Sequence, residues 1–135
     1  MSEPIDMMTA AQNAVVKLLQ QRLPAAQRGI VRHTLAQGTQ PPFHLIGDIA
    51  TSNEQSKGDQ LEEIEVDVHT VYRGSDRGVL LGMLHQVRLA TDDQSIEIGG
   101  ALFQSTWLGA VADGFAADSV TCAGLTTLHL SAEPA

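Results

Sequence analysis

Ile64-Glu65-Val66-Asp67-Val68-His69-Thr70-Val71-Tyr72-Arg73-Gly74 runs directly into Ser75-Asp76-Arg77-Gly78-Val79-Leu80-Leu81-Gly82-Met83-Leu84-His85-Gln86-Val87. In this stretch the hydrophobic period changes from two to that of a helix. Ile64, Val66, Val68, Thr70 and Tyr72 alternate with Glu63, Glu65, Asp67 and His69, which predicts a half-buried strand over residues 61–72. Such a strand extends about 40 Å at ~3.3 Å per residue, beyond the usual length, so part of it is expected to project. Val79, Leu80, Met83, Leu84 and Val87 then fall at helical spacing. They predict an amphipathic helix capped by Ser75 or Asp76 and running to about Ala90.

Upstream, Ala11, Ala14, Val15, Leu18, Leu19 and Arg22 define a helix over residues 6–22, with Asp6 or Thr9 as cap and Pro24 limiting its end. Residues 23–40 read mostly as loop, with a short strand at Ile30 and Val31. Phe43-His44-Leu45-Ile46-Gly47-Asp48 follows two prolines and reads as a strand. Residues 51–60 hold no apolar side chain and read as a mobile loop. Downstream, Thr91-Asp92-Asp93 ends the helix and Ile96 and Ile98 mark a short strand before the turn pair Gly99-Gly100. Residues 101–112 and 120–131 read as two long strands around a loop at 113–119. Phe103, Trp107 and Val111 in the first are separated by multiples of two. Residues 1–5 and 132–135 are expected to fray. The late clustering of strands predicts one α+β domain over residues 1–135, with a mixed or mainly antiparallel sheet and two main helices packed on one face.

The 135 residues suffice for one core. No apolar run approaches the ~18–20 residues that cross a bilayer. The start, Met1-Ser2-Glu3-Pro4, lacks the basic and apolar regions of a signal peptide, and Cys122 is the only cysteine, so a cytoplasmic site of folding is expected. The net charge of −8 and the 4% aromatic content argue against a phosphate-neutralising or base-stacking surface. The charge is unevenly placed. Residues 7–47 contain no Asp or Glu but carry Lys17, Arg22, Arg28 and Arg32, leaving 16 acids against 4 bases elsewhere. Two faces of opposite sign would suit head-to-tail contact between identical subunits.

Catalytic constellations are missing from the pattern. His33, His44, His69, His85 and His129 show no i, i+3 or i+4 pairing, so no local metal motif exists, although His44, His69 and His129 lie in candidate strands. No nucleophile elbow, P-loop or dinucleotide fingerprint occurs. Cys122 lies mid-strand among apolar neighbours, away from the helix N-termini that activate thiols. The Arg73–Arg77 turn precedes a helix and reads first as capping, with an anion site as the alternative. The reading is therefore non-enzymatic, with no catalytic residue, cofactor or metal.

The order of the motifs resembles the tail-completion (tail-terminator) proteins of long-tailed phages, prophages and gene transfer agents. The resemblance is carried by Val68-His69-Thr70-Val71-Tyr72-Arg73-Gly74 leading into the helix and by the Pro41–Asp48 strand. Leu18-Leu19 and Arg28-Gly29-Ile30-Val31 in the first third add to it. It departs where Arg32-His33 replaces an expected Tyr, and in the Asp113–Ser119 loop. The resemblance implies a structural virion protein forming a ring, commonly of six subunits, at the head-proximal end of the tail tube. That ring stops tube growth and meets the head connector. It also implies assembly in the bacterial cytoplasm, a final place in the virion tail, and DNA passing through the lumen without specific binding. On this reading Arg22, Arg28 and Arg32 would meet Glu62, Glu63, Glu65 and Asp67 of a neighbour. Asn53, Glu54, Lys57 and Asp59 would contact the tube or connector. The alternatives are a head-side connector or minor tail protein and, from another class, a small-ligand-binding or enzymatic α+β domain.

Overall fold

A computed structural model of the chain describes residues 3–53 and 60–135. Helix α1 spans Met7–Arg22. Its N-cap is Asp6, whose carboxylate accepts from the Thr9 amide at 3.1 Å and the Thr9 hydroxyl at 2.7 Å. These bonds hold the Asp6 carboxyl below its ordinary pKa. A short helix α2, Ala25–Arg28, starts directly after Pro24, and strand β1 is only Val31–Arg32. Strands β2 (Phe43–Asn53) and β3 (Glu62–Arg73) pair antiparallel, followed by α3 (Arg77–Thr91), β4 (Gln94–Ile98), β5 (Ala101–Ala112) and β6 (Thr121–Pro134).

The strands form one mixed sheet in the order β1-β2-β3-β6-β5-β4, parallel only between β1 and β2. The α+β expectation holds, with a third short helix that carries no readable period. The even-numbered residues Ile64, Val66, Val68 and Thr70 of β3 are buried, and so are Cys122, Thr126, Leu128 and Leu130 of β6. Ile64, Val66, Val68, Leu128 and Leu130 meet Ala14, Val15 and Leu19 of α1 and Val87 and Ala90 of α3 in one core cluster with Phe103. Each fully buried leucine there contributes roughly 1.5–3 kcal/mol. A second cluster joins Leu80 and Leu84 of α3 to Cys122, with Tyr72 and Ala112 packed against it. Gly124 allows that approach: a β-carbon there would lie 2.6 Å from a Leu84 methyl.

The strand-to-helix turn that decides the fold is fastened twice. Asp76 caps α3 by accepting from the Gly78 amide at 2.9 Å, and the Arg77 guanidinium donates to the carbonyls of Ala112 and Asp113 at 3.0 Å each. Gly74 leaves room for the Tyr72 ring to fold back, since a β-carbon there would collide with the phenol.

Several boundaries differ from the sequence reading. Thr51–Asn53 continue β2 rather than opening a loop, because their backbones pair with Ile64, Glu63 and Glu62 whatever their side chains. Ala132–Pro134 complete β6 instead of fraying, and the Ala135 amide donates to Gly100 at 3.0 Å. Ile5 is tied to Gln60 by two hydrogen bonds of 2.9 Å. Val111 does not share a side with Phe103 and Trp107. An extra residue in β5, between Trp107 opposite Leu128 and Gly109 opposite Thr127, reverses the parity.

Candidate interaction surface

The odd-numbered residues of β3 and β6 point away from the core, and cross-strand register arranges them in rows. At one end the rows are acidic. Glu63 stands opposite Ser131, Glu65 opposite His129, and Asp67 opposite Thr127. His129 Nε2 sits in close contact with Glu63 Oε2, and the Thr127 hydroxyl donates to Asp67 at 3.4 Å. At the other end the rows are apolar. Leu125 lies between His69 and Val111. The bulge leaves Leu108 51% and Val111 63% exposed. Together with Gly109, Ala110, Leu125 and Thr127 these residues line a shallow concavity of about 310 Å³.

The helices present the opposite character. Neither α1 nor α3 contains an acidic residue; they carry Lys17, Arg22, Arg77 and Arg88, and α2 adds Arg28. Arg88 is stacked over the Trp107 ring at 4.1 Å from its centroid. Off its buried stripe, α3 exposes Val79 (43%), Leu81 (46%) and Leu89 (53%). Gly82, between them, has open space around its missing β-carbon.

The predicted interface residues separate cleanly. Arg22 is exposed at the end of α1. Arg28 Nε donates to the Leu23 carbonyl at 2.8 Å, and Arg32 donates to the carbonyls of Gly29 and Val31 at 2.5 and 3.2 Å. None of the three reaches a carboxylate: among the described residues, the sole ion pair is that of His129 with Glu63. Glu63, Glu65 and Asp67 share one side, while Glu62 has the other parity and accepts from the Thr51 hydroxyl and Gln60 amide at 2.6 Å each. Asn53 is exposed at the end of β2, opposite Glu62. Glu54, Lys57 and Asp59 lie outside the described residues.

The three strand histidines diverge. His44 is buried in the core, His69 packs across Gly47, and His129 meets Glu63. Cys122 is buried, as its apolar context predicts. A groove of about 360 Å³ crosses the sheet end between Leu61, Glu63, Leu102, Gln104 and Glu133. No described helix is long and apolar enough to cross a membrane.

A scan against protein-family models finds no match, and neither does a search of curated proteins. Among solved structures, a chain of the "Virion of native gene transfer agent (GTA) particle" superposes with a TM-score of 0.80 at 13% sequence identity. The match covers 93% of this chain and 96% of that one. At so low an identity the likeness is one of fold. It runs through nearly the whole of both chains, so the elements carrying the two faces belong to the shared architecture.

The apolar end of the sheet's outer face and the exposed stripe of α3 escaped the sequence reading. Leu81 and Leu89 lie off the helix's core stripe, and that was the available signal for the second, whereas Val79, read with the stripe, proves exposed because it lies at its edge. The first depends on the bulge at Leu108, which has no sequence signature of its own.

Proposed function

We propose that this chain is a structural virion protein that caps the head-proximal end of a tail tube as a ring, ends tube growth and joins the tail to the head connector. The observation that carries the proposal is the fold likeness to a chain of a gene transfer agent particle over nearly the full length of both chains. Two features support it. Among the described residues no Lys or Arg forms an ion pair with a carboxylate, which leaves both signs of charge available to copies of the chain. Its long strands also end at rims suited to contact with neighbouring proteins.

In this reading six subunits pack head to tail. Arg22, Arg28 and Arg32 of one face Glu63, Glu65 and Asp67 of the next, and Asn53 with the segment after it meets the tube protein or connector. Particle DNA passes through an anionic ring that does not retain it, consistent with the net charge of −8. The protein assembles in the host cytoplasm and ends in the tail.

The test is electron microscopy of particles from the producing cell after deletion of the gene. Overlong or ragged tails separated from DNA-filled heads are the expected outcome. Normal joined particles, or a producer that makes no particles, would remove the reading and favour a ligand-binding domain using the groove beside Glu63 and Glu133.

A further inference from the structure

Opposite sides of this protomer carry complementary unpartnered surfaces. We infer that the exposed face of α3 around Leu81, Gly82 and Leu89 docks on the outer sheet patch of Leu108, Val111 and Leu125 in a second copy of the chain. The inference rests on the ring reading and names the surface that builds the ring.

Three observations converge on a copy of this chain as the occupant. The first is matched apolar exposure. Leu81 and Leu89 are 46% and 53% exposed on one side, and Leu108 and Val111 are 51% and 63% exposed on the other. Scattered single leucines are ordinary, but exposed leucines along one helix face, with an apolar patch on the outer side of the sheet, are the ingredients of a head-to-tail contact.

The second is charge complementarity. Helices α1, α2 and α3 hold Lys17, Arg22, Arg28, Arg77 and Arg88 and no acid, and the nearest acids, Asp6, Asp76 and Asp92, sit at helix ends. The receiving sheet face carries Glu63, Glu65 and Asp67 beside its apolar end. Among the described residues none of the basic groups has a carboxylate partner, and a second copy supplies three on the face that the helices would meet.

The third is Gly82. A mid-helix glycine destabilises a helix by roughly 1 kcal/mol relative to alanine. Nothing in the protomer lies within 4 Å of where its β-carbon would stand, so no internal packing requires it. The open space gives a backbone or side chain of a second copy room to approach α3 closely between Leu81 and Leu89. The two patches also lie back to back. Leu84 of α3 rests on Gly124, and Leu125 and Val111 face outward next to it. Repetition of one contact therefore propagates subunit by subunit, and a rotation at each step closes the ring.

Sedimentation velocity of the full chain over a concentration series tests this. Wild type is expected to self-associate with rising concentration. Leu81→Asp with Leu89→Asp, and separately Leu108→Asp with Val111→Asp, should each weaken association roughly tenfold or more. Every one of these positions is solvent-exposed, so the protomer should still fold. Mixed together, the two variants should form a dimer that grows no further, because each retains one intact surface. Gly82→Gln adds an independent readout: a raised thermal midpoint together with weakened association. Variants that assemble like wild type, a mixture that stays monomeric, or a wild type that is monomeric at every concentration would overturn the inference. Ring formation that survives all substitutions would reject this surface and leave the ring reading standing. Joined, normal particles after gene deletion would reject the ring reading itself.

Discussion

His44 sits fully buried between Gln27 and Thr70. Its Nε2–H donates to Gln27 Oε1 at 3.0 Å, and its Nδ1 accepts from the Thr70 hydroxyl at 2.8 Å. Both ring nitrogens are satisfied by neutral groups, so a proton on the ring gains no carboxylate and loses its water. Burial pushes the pKa from 6.5 down to about 4. Between those values the unfolded chain binds a proton that the folded chain refuses. Stability is therefore full above pH 6.5 and falls as the solution is acidified toward pH 4, by up to about 3 kcal/mol. Urea titrations at a series of pH values should show that slope, and His44→Asn should flatten it while lowering stability at neutral pH. The triad of Gln27, His44 and Thr70 was invisible in the sequence, because its members lie far apart in the chain and share no period. Asp118, by contrast, lies in a readable turn. The amides of Val120 and Thr121 and the Thr121 hydroxyl hold its carboxylate down to about 2.

Among the elements, legibility follows the strength of one-sided burial. β3 and α3 were readable because each buries one face against a single core, which imposes its period on the residues. β1 and α2 are too short to show a period, and Thr51–Asn53 are polar on both sides, so only backbone pairing makes them strand. β5 shows the sharper failure. Its register slips at one residue, and counting by twos from Phe103 then assigns Val111 to the wrong side. Leu108 is the extra residue, so its deletion should restore a regular ladder with every other pair intact, at a cost of about 1 kcal/mol or less. Deleting Gln104 instead forces a slip that turns the fully buried Phe103 outward, which should cost about 3 kcal/mol or more. Denaturant midpoints of the two deletions should differ accordingly. The candidate interaction surface was half legible. The acid-free stretch of residues 7–47 announced a positive face and the alternation in β3 a negative one. The apolar components lay in the slip of β5 and in leucines off the helical stripe.

At the scale of the whole molecule, the placement of charge has a kinetic consequence. The helices carry cationic groups and no acid, while β3 turns Glu63, Glu65 and Asp67 away from the core, so charge is unevenly placed on each protomer. Two such bodies diffusing together experience a torque before they touch, and that torque turns the helices of one toward the sheet of the other. The field reaches about 30 Å at 0.01 M salt and about 8 Å at physiological salt. Stopped-flow light scattering should show the association rate falling steeply as salt is added, while the dissociation rate, governed by the apolar contact, changes little. In the proposed assembly a protomer would thus arrive at its neighbour already oriented, in the manner of a compass needle near a magnet.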